Sequence, residues 1–249
     1  TRSGNRSWRA RIHIEPGTPV VMQEVTVQVL GPGADNPSLN AIATKLPLRP
    51  GDRLNHAAYE TIKGDLTRTA ATLGYLDAKL TRNELVVDPP NHVASAALVL
   101  ETGFRYRFGA TTIEQSVINE TLLRRFLRYQ QDDPFDATQL LRTQFALDDS
   151  QYFSTVEVLS GDADRDEHVV PVNIRAEPNR RDRYSAGFGY GTDTEVRGTL
   201  TWENRRVNAR GHRFRAELKA AQIEQSVAAR YQIPIGDPAL EKLSFEFSY

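Results

Sequence analysis

The 249-residue sequence predicts two tandem α+β units, each of order β-α-α-β-β, followed by antiparallel strands of an incomplete transmembrane β-barrel. Three observations carry that prediction. One strand-and-helix pattern occurs twice, with a period of roughly 75–85 residues. Helical periodicity stops after Glu177-Pro178, and alternation of apolar and polar residues then runs to the end. No stretch approaches the ~18 apolar residues of a membrane-spanning helix, whereas a membrane barrel hides its apolar face in just such alternation.

Residues 1–21 hold one strand-like run, 8–14, closed by Pro16-Gly17, which reads as the last strand of a preceding unit. The first whole unit, 22–104, opens on Met22-Gln23-Glu24-Val25-Thr26-Val27-Gln28-Val29-Leu30, the pattern of a half-buried strand. Gly31-Pro32-Gly33 stops it, and Asn36-Pro37-Ser38 starts a short helix with proline in its first turn. A longer helix follows the turn at 47–51, because Leu54, Ala58, Ile62, Leu66, Ala70 and Leu73 step mostly by four and share a stripe. Gly74 stands where such a helix ends. Strands over 75–87 and 93–102 are joined by Asp88-Pro89-Pro90-Asn91. The second unit, 105–178, repeats the order. A strand over 106–114 leads to a helix that gathers Ile118, Leu122, Phe126 and Leu127. Asp132-Asp133-Pro134 breaks it, a helix over 137–147 puts Leu140, Leu141 and Phe145 together, and strands over 153–159 and 168–176 finish the unit.

Residues 183–249 read as five strands of about 8–10 residues, a length suited to crossing a bilayer. Tyr184, Ala186, Phe188 and Tyr190 share one face of the first, and Val196, Gly198, Leu200 and Trp202 one face of the second. Phe214, Ala216, Leu218 and Ala220, then Val227, Ala229, Tyr231 and Ile233, then Leu243, Phe245, Phe247 and Tyr249 continue the pattern. Opposite positions carry full charges (Arg213, Arg215, Glu217, Lys219), which suits a water-filled lumen. Aromatic residues near the strand ends favour a membrane barrel, while alternation alone leaves a soluble sheet with one wet face open. Sixty-odd residues fall short of the smallest closed barrel, so the sheet reads as unfinished.

In these residues the chain resembles the BamA/TamA superfamily. The two β-α-α-β-β units are similar to POTRA domains, and Gly74-Tyr75 with the following strand resembles their helix-to-strand junction. Tyr184-Ser185-Ala186-Gly187-Phe188-Gly189-Tyr190-Gly191 resembles the glycine-rich first barrel strand of that superfamily. Trp202-Glu203-Asn204-Arg205-Arg206 through Gly211-His212, and Tyr231-Gln232-Ile233-Pro234, are similar to TamA-like members in particular. The resemblance implies an outer-membrane protein of a Gram-negative cell, with POTRA domains in the periplasm. It implies assembly of outer-membrane proteins, autotransporters among them, with a TamB-like inner-membrane-anchored partner, unfolded outer-membrane protein clients and outer-membrane lipid. It assigns a lateral gate to the first barrel strand, residues Tyr184, Ser185, Ala186, Gly187, Phe188, Gly189, Tyr190 and Gly191. A BamA-type general insertase, a two-partner secretion pore and a soluble periplasmic scaffolding module are the alternatives.

Catalytic chemistry finds little purchase. There are no cysteines, so disulfides, thiolate zinc sites and thiol nucleophiles are excluded. Gly187-x-Gly189-x-Gly191 lies inside a strand pattern with no Lys-Ser/Thr after it, so it fails as a phosphate loop. Asp162-Ala163-Asp164-Arg165-Asp166-Glu167 begins like a calcium loop but has Glu at the position that demands Gly, and reads as a solvated turn. The five histidines are scattered without ligand spacing. The sequence therefore predicts no enzyme, no cofactor and no metal. With 31 basic against 32 acidic residues it also lacks the strong positive charge of a nucleic-acid binder. Charge is unevenly spread: residues 105–178 carry eight basic and thirteen acidic groups, residues 179–249 twelve and nine. Arg180-Arg181-Arg183 and Arg205, Arg206 and Arg210 are expected either at the periplasmic rim, touching lipid headgroups or the acidic second unit, or in plain solvated turns.

Overall fold

The computed structural model describes residues 13, 17–191, 195–221 and 225–249, so the strand expected over 8–14 lies outside the described residues. Backbone contacts divide the chain into two compact units, one of residues 1–71 and 77–103, the other of residues 72–76 and 104–249.

The first unit runs β1 (Val21–Leu30), α1 (Pro37–Thr44), α2 (His56–Thr72), β2 (Lys79–Asp88), β3 (Val93–Glu101). Its sheet has the order β1-β3-β2, with β3 parallel to β1 and antiparallel to β2. The central strand is accordingly the most apolar, and its Ala94, Ala96, Leu98 and Leu100 are buried. Tyr59, Ile62, Leu66 and Ala70 of α2 complete the core, with Tyr59 rather than Ala58 heading the stripe. Asn36 starts α1 as the sequence implies: its side-chain oxygen accepts the Ser38 and Leu39 N–H groups at 3.0 and 3.4 Å.

The second unit begins with β4 (Arg107–Glu114), α3 (Glu120–Arg124), α4 (Ala137–Asp149), β5 (Phe153–Ser160) and β6 (Val169–Pro178). Its sheet order, β4-β6-β5, with one parallel and one antiparallel pairing, repeats that of the first unit. Gly74, at φ +88°, accepts the Tyr106 N–H at 2.8 Å; a Cβ there would sit 2.8 Å from the Phe135 carbonyl oxygen. That tight turn is why β2 starts at Lys79 and not directly after the helix.

Two helices differ from expectation. The helix after β4 is only five residues long, because Arg125, Phe126 and Leu127 each donate to the carbonyl three residues back and tighten out of the α geometry. On α4 the buried positions are Leu140, Thr143, Ala146 and Leu147, while Leu141 and Phe145 are 51% and 58% exposed. The expected Leu140-Leu141-Phe145 face is therefore corrected. Thr143 can sit inside because its hydroxyl accepts the Arg128 N–H at 3.0 Å, which turns the helix by one position from the most apolar face.

Five strands complete this unit: β7 (Asp182–Gly191), β8 (Glu195–Asn204), β9 (Arg213–Ala221), β10 (Gln225–Pro234) and β11 (Lys242–Ser248). They form one antiparallel meander in chain order, and β7 and β11 are its two edges. No helix among the described residues is long and apolar enough to cross a membrane, which has no bearing on strands.

Candidate functional site

Register sorts the side chains of the meander into two faces. Tyr184 pairs with Trp202, Trp202 with Ala216, Ala216 with Ala229 and Ala229 with Phe247, an apolar row across all five strands. Ala186, Leu200, Leu218 and Val227 form the next row, and Phe214, Tyr231 and Phe245 another. The opposite face alternates with these. Arg183, Glu203, Arg215, Arg230 and Glu246 line up in one of its rows, and Ser185, Thr201, Glu217, Ala228 and Ser248 in another. Ion pairs join Arg215 and Lys219 to Glu217 at 2.9 and 2.8 Å, and Arg230 to Glu246 at 2.7 Å.

The apolar face is bare. Phe188 is 89% exposed, Tyr184 and Tyr190 75%, and Phe247 63%, far more contiguous apolar surface than a water-soluble monomer presents. Ten residues of strand at ~3.3 Å span about 33 Å, and a tilt of ~40° brings that to about 25 Å, the height of a barrel's lipid-facing band. Trp202 is an exception with a polar tie: its indole N–H donates to Asp182 at 3.0 Å, near the strand end.

The first-strand residues fall on β7 as the sequence reading placed them. Tyr184, Ala186, Phe188 and Tyr190 lie on the apolar face, and Ser185, Gly187 and Gly189 on the polar one, with Gly191 closing the strand. β7 pairs with β8 on one side only, leaving its other row of backbone N–H and C=O groups unpaired among the described residues.

A second feature escaped the sequence reading. The segments 205–212 and 235–241, which join β8 to β9 and β10 to β11, pack on the end of the second β-α-α-β-β fold. Asn119 N–H donates to the Ala209 carbonyl at 2.8 Å, and the Tyr152 hydroxyl donates to the Gly211 carbonyl at 2.6 Å. Gly211 has φ +74°, and a Cβ there would lie 2.6 Å from a Leu122 methyl and 2.7 Å from the Tyr152 oxygen, so only glycine fits. Arg125 gives two hydrogen bonds to the Gly236 carbonyl, at 3.0 and 2.7 Å, and Arg128 grips the Asp237 carboxylate with both terminal nitrogens. The hydrogen bond from Arg128 holds the Asp237 carboxyl below its ordinary value of 3.8, against an opposing desolvation. Burial pushes the Tyr152 phenol up, with the Arg213 guanidinium 4.9 Å over its ring pulling the other way.

Arg205 and Arg206 are half-buried in the first of these turns and Arg210 is exposed; none forms an ion pair among the described residues. Ionic contact across the joint runs in the opposite sense, from Arg128 of the acidic unit to Asp237 of the strands. The acidic 162–167 segment is a capped turn, in which Asp164 accepts the Asp166 and Glu167 N–H groups at 2.9 and 3.0 Å.

No family model matches the chain. Solved structures share its fold. The BamA structure from Haemophilus ducreyi lacking POTRA domains 1–3 superposes with a TM-score of 0.73 at 15% identity, covering 92% of this chain and 42% of that one. CdiB from Acinetobacter baumannii gives 0.52 at 14% identity, over 94% and 45% of the two chains. CdiB from Escherichia coli gives 0.51 at 12%, over 96% and 44%. At these identities the likeness is one of fold: mixed α+β with antiparallel strands. The chain spans under half the length of each of these structures.

Proposed function

We propose that this chain is the POTRA-to-barrel portion of an outer-membrane protein that assembles or secretes other proteins, with its β-α-α-β-β units in the periplasm. The supporting observation is a bare apolar face on five strands that ends at a one-sided, glycine-rich edge strand. Glycines 187, 189 and 191 each weaken a strand by roughly 0.5–1 kcal/mol relative to alanine, and an unpaired edge is a template for an incoming strand. In this reading residues 184–191 are one side of a lateral gate, and POTRA units hand client segments to it by strand addition. The work is non-enzymatic. Free energy comes from folding and lipid burial of the client, so the mechanism needs no nucleotide or cofactor. The finer assignment is to the TamA-like branch, acting on unfolded outer-membrane proteins, autotransporters included, beside a TamB-like partner anchored in the inner membrane.

The test uses the full-length protein. It should require detergent and migrate differently before and after heating, as barrels do. Phe188→Pro removes an edge donor and should abolish client insertion while heat-modifiable migration is kept. Normal insertion by that variant refutes the gate, and detergent-independent solubility refutes the membrane barrel in favour of a soluble scaffold.

A further inference from the structure

On the polar face, the strand ends beside the second β-α-α-β-β fold carry a row of arginines. The β8–β9 register runs to the pairs Glu203–Arg215 and Asn204–Phe214; Arg205 directly follows β8 and Arg213 opens β9. Arg205 also donates its N–H to the Arg181 carbonyl at 2.8 Å, which brings a third arginine into the row. Of the three, Arg181 donates from its guanidinium to the Val207 carbonyl at 3.2 Å. Arg213 opens onto a cavity of about 80 Å³ that Ser150, Tyr152, Asp149 and Lys242 also line. That is room for about two to three waters, the size of one tetrahedral anion.

What marks the place is unmet hydrogen-bonding capacity. The Nε and Nη2 atoms of Arg213 and the Nε of Arg205 are shielded from solvent, yet find no acceptor among the described residues. Nε and Nη2 form the side-on edge of the guanidinium, the fork that takes two oxygens of one carboxylate or phosphate. The Arg213 Cζ lies 4.9 Å from the Tyr152 ring centroid and the guanidinium acts on that phenol by charge and by a side-chain hydrogen bond, which leaves its fork without an acidic partner among the described residues. Asp149 is on the cavity wall but makes no ion pair with Arg213 or Lys242 among the described residues. Buried donors and charges normally have partners, so a dry, forked cation facing a cavity of this size points to a missing acceptor.

We propose that Arg213, with Lys242, forms a binding site for a phosphate-class oxyanion at the polar rim of the strands. Either a free phosphate or the phosphate of a lipid headgroup offers the required pair of oxygens. The site is independent of the gate, and client insertion is not its readout.

Calorimetric titration of the full-length protein in neutral detergent with potassium phosphate, against potassium chloride at equal ionic strength, tests this. One saturable phosphate event is expected. Arg213→Lys keeps the charge but loses the fork, and should weaken it at least tenfold; Lys242→Gln should weaken it several-fold; Arg210→Gln, outside the row, should not. Short-chain phosphatidic acid that displaces phosphate more strongly than glycerol phosphate assigns the site to lipid headgroups, and equal displacement assigns it to the free anion. Phosphate heats indistinguishable from chloride, meaning that water alone fills the cavity, overturn the proposal. So does an Arg213→Lys variant that binds like the parent.

Discussion

Gly211→Ala is the sharpest probe of how the second β-α-α-β-β fold is held to the strand ends. At φ +74° an alanine carries a left-handed penalty of about 1 kcal/mol. Its Cβ would also meet the Leu122 methyl at 2.6 Å and the Tyr152 oxygen at 2.7 Å. The methyl is the far end of a flexible side chain and yields cheaply. The phenol does not, because it is buried and its hydroxyl donates to the carbonyl of Gly211 itself at 2.6 Å. Displacing it leaves a buried acceptor unmet, at about 1–3 kcal/mol. The total, about 3 kcal/mol, corresponds to roughly a hundredfold in the opening constant of the joint. Hydrogen exchange reads this directly, since the Asn119 amide donates across the joint to Ala209 at 2.8 Å. In the full-length protein in detergent, exchange in the Asn119 peptide should quicken about a hundredfold, while peptides of the first unit around Leu98 stay as they were. Tyr152→Phe, which loses the hydrogen bond without the clash, should cost about 1 kcal/mol, roughly a fivefold change. Asn119 exchange within twofold of the parent in Gly211→Ala would show that this contact does not hold the joint closed.

Other perturbations separate the remaining elements. Leu200, on the apolar face and 55% exposed, should cost about 2–4 kcal/mol when changed to Arg if it faces the bilayer core, measured by urea unfolding in vesicles. Arginine on a wet sheet face would cost next to nothing, and that outcome would exclude the lipid-facing assignment. Asp237→Asn tests the ion pair with Arg128. Because the native carboxyl titrates below its ordinary 3.8, its contribution is complete above that pH and is lost as the pH falls through the depressed native value. The parent joint should therefore loosen at pH below 3.8, by Asn119 exchange, and the Asn variant should be loose already at pH 7 with that part of the acid dependence gone. Thr143→Val strands the buried Arg128 N–H and should cost about 1–3 kcal/mol of thermal stability; a neutral result would mean that water or a shifted loop takes over as acceptor.

Much of the fold is written locally, and the exceptions have identifiable causes. The central strands and the five-strand meander follow from period two alone: the residues that alternate in sequence are those that the register aligns, from Tyr184–Trp202 to Tyr231–Phe245. The face of α4 is not legible, since Leu140 and Leu141 are adjacent and equally apolar. The choice falls to Thr143, whose partner is the backbone N–H of Arg128, fifteen residues away. The joint is less legible still. Arg125 reaches Gly236 across 111 residues and Arg128 reaches Asp237 across 109, and no periodicity records such a pairing. One signal was available: the connections 205–212 and 235–241 run to eight and seven residues. Length beyond what a hairpin needs marks a connection that contacts something else.

The charges at the joint show how a segment's total charge differs from its contacts. Thirteen acidic groups against eight basic ones in residues 105–178 do make an attractive field for Arg205, Arg206 and Arg210. That field is long-ranged and screened within ~8–10 Å, so it aids encounter without choosing contacts. Contacts are chosen within hydrogen-bond reach, and there the acidic unit presents Arg125 and Arg128, which take the Gly236 carbonyl and the Asp237 carboxylate of the 235–241 turn. Arg205 and Arg213 are half-buried, and Asp149, on the wall of the Arg213 cavity, forms no ion pair with them among the described residues. An interface designed only to neutralise the basic row would have spent its acids there. That it spends Arg128 on Asp237 and leaves Nε and Nη2 of Arg213 without an acceptor among the described residues is the strongest reason to assign Arg213 an acceptor from outside the fold.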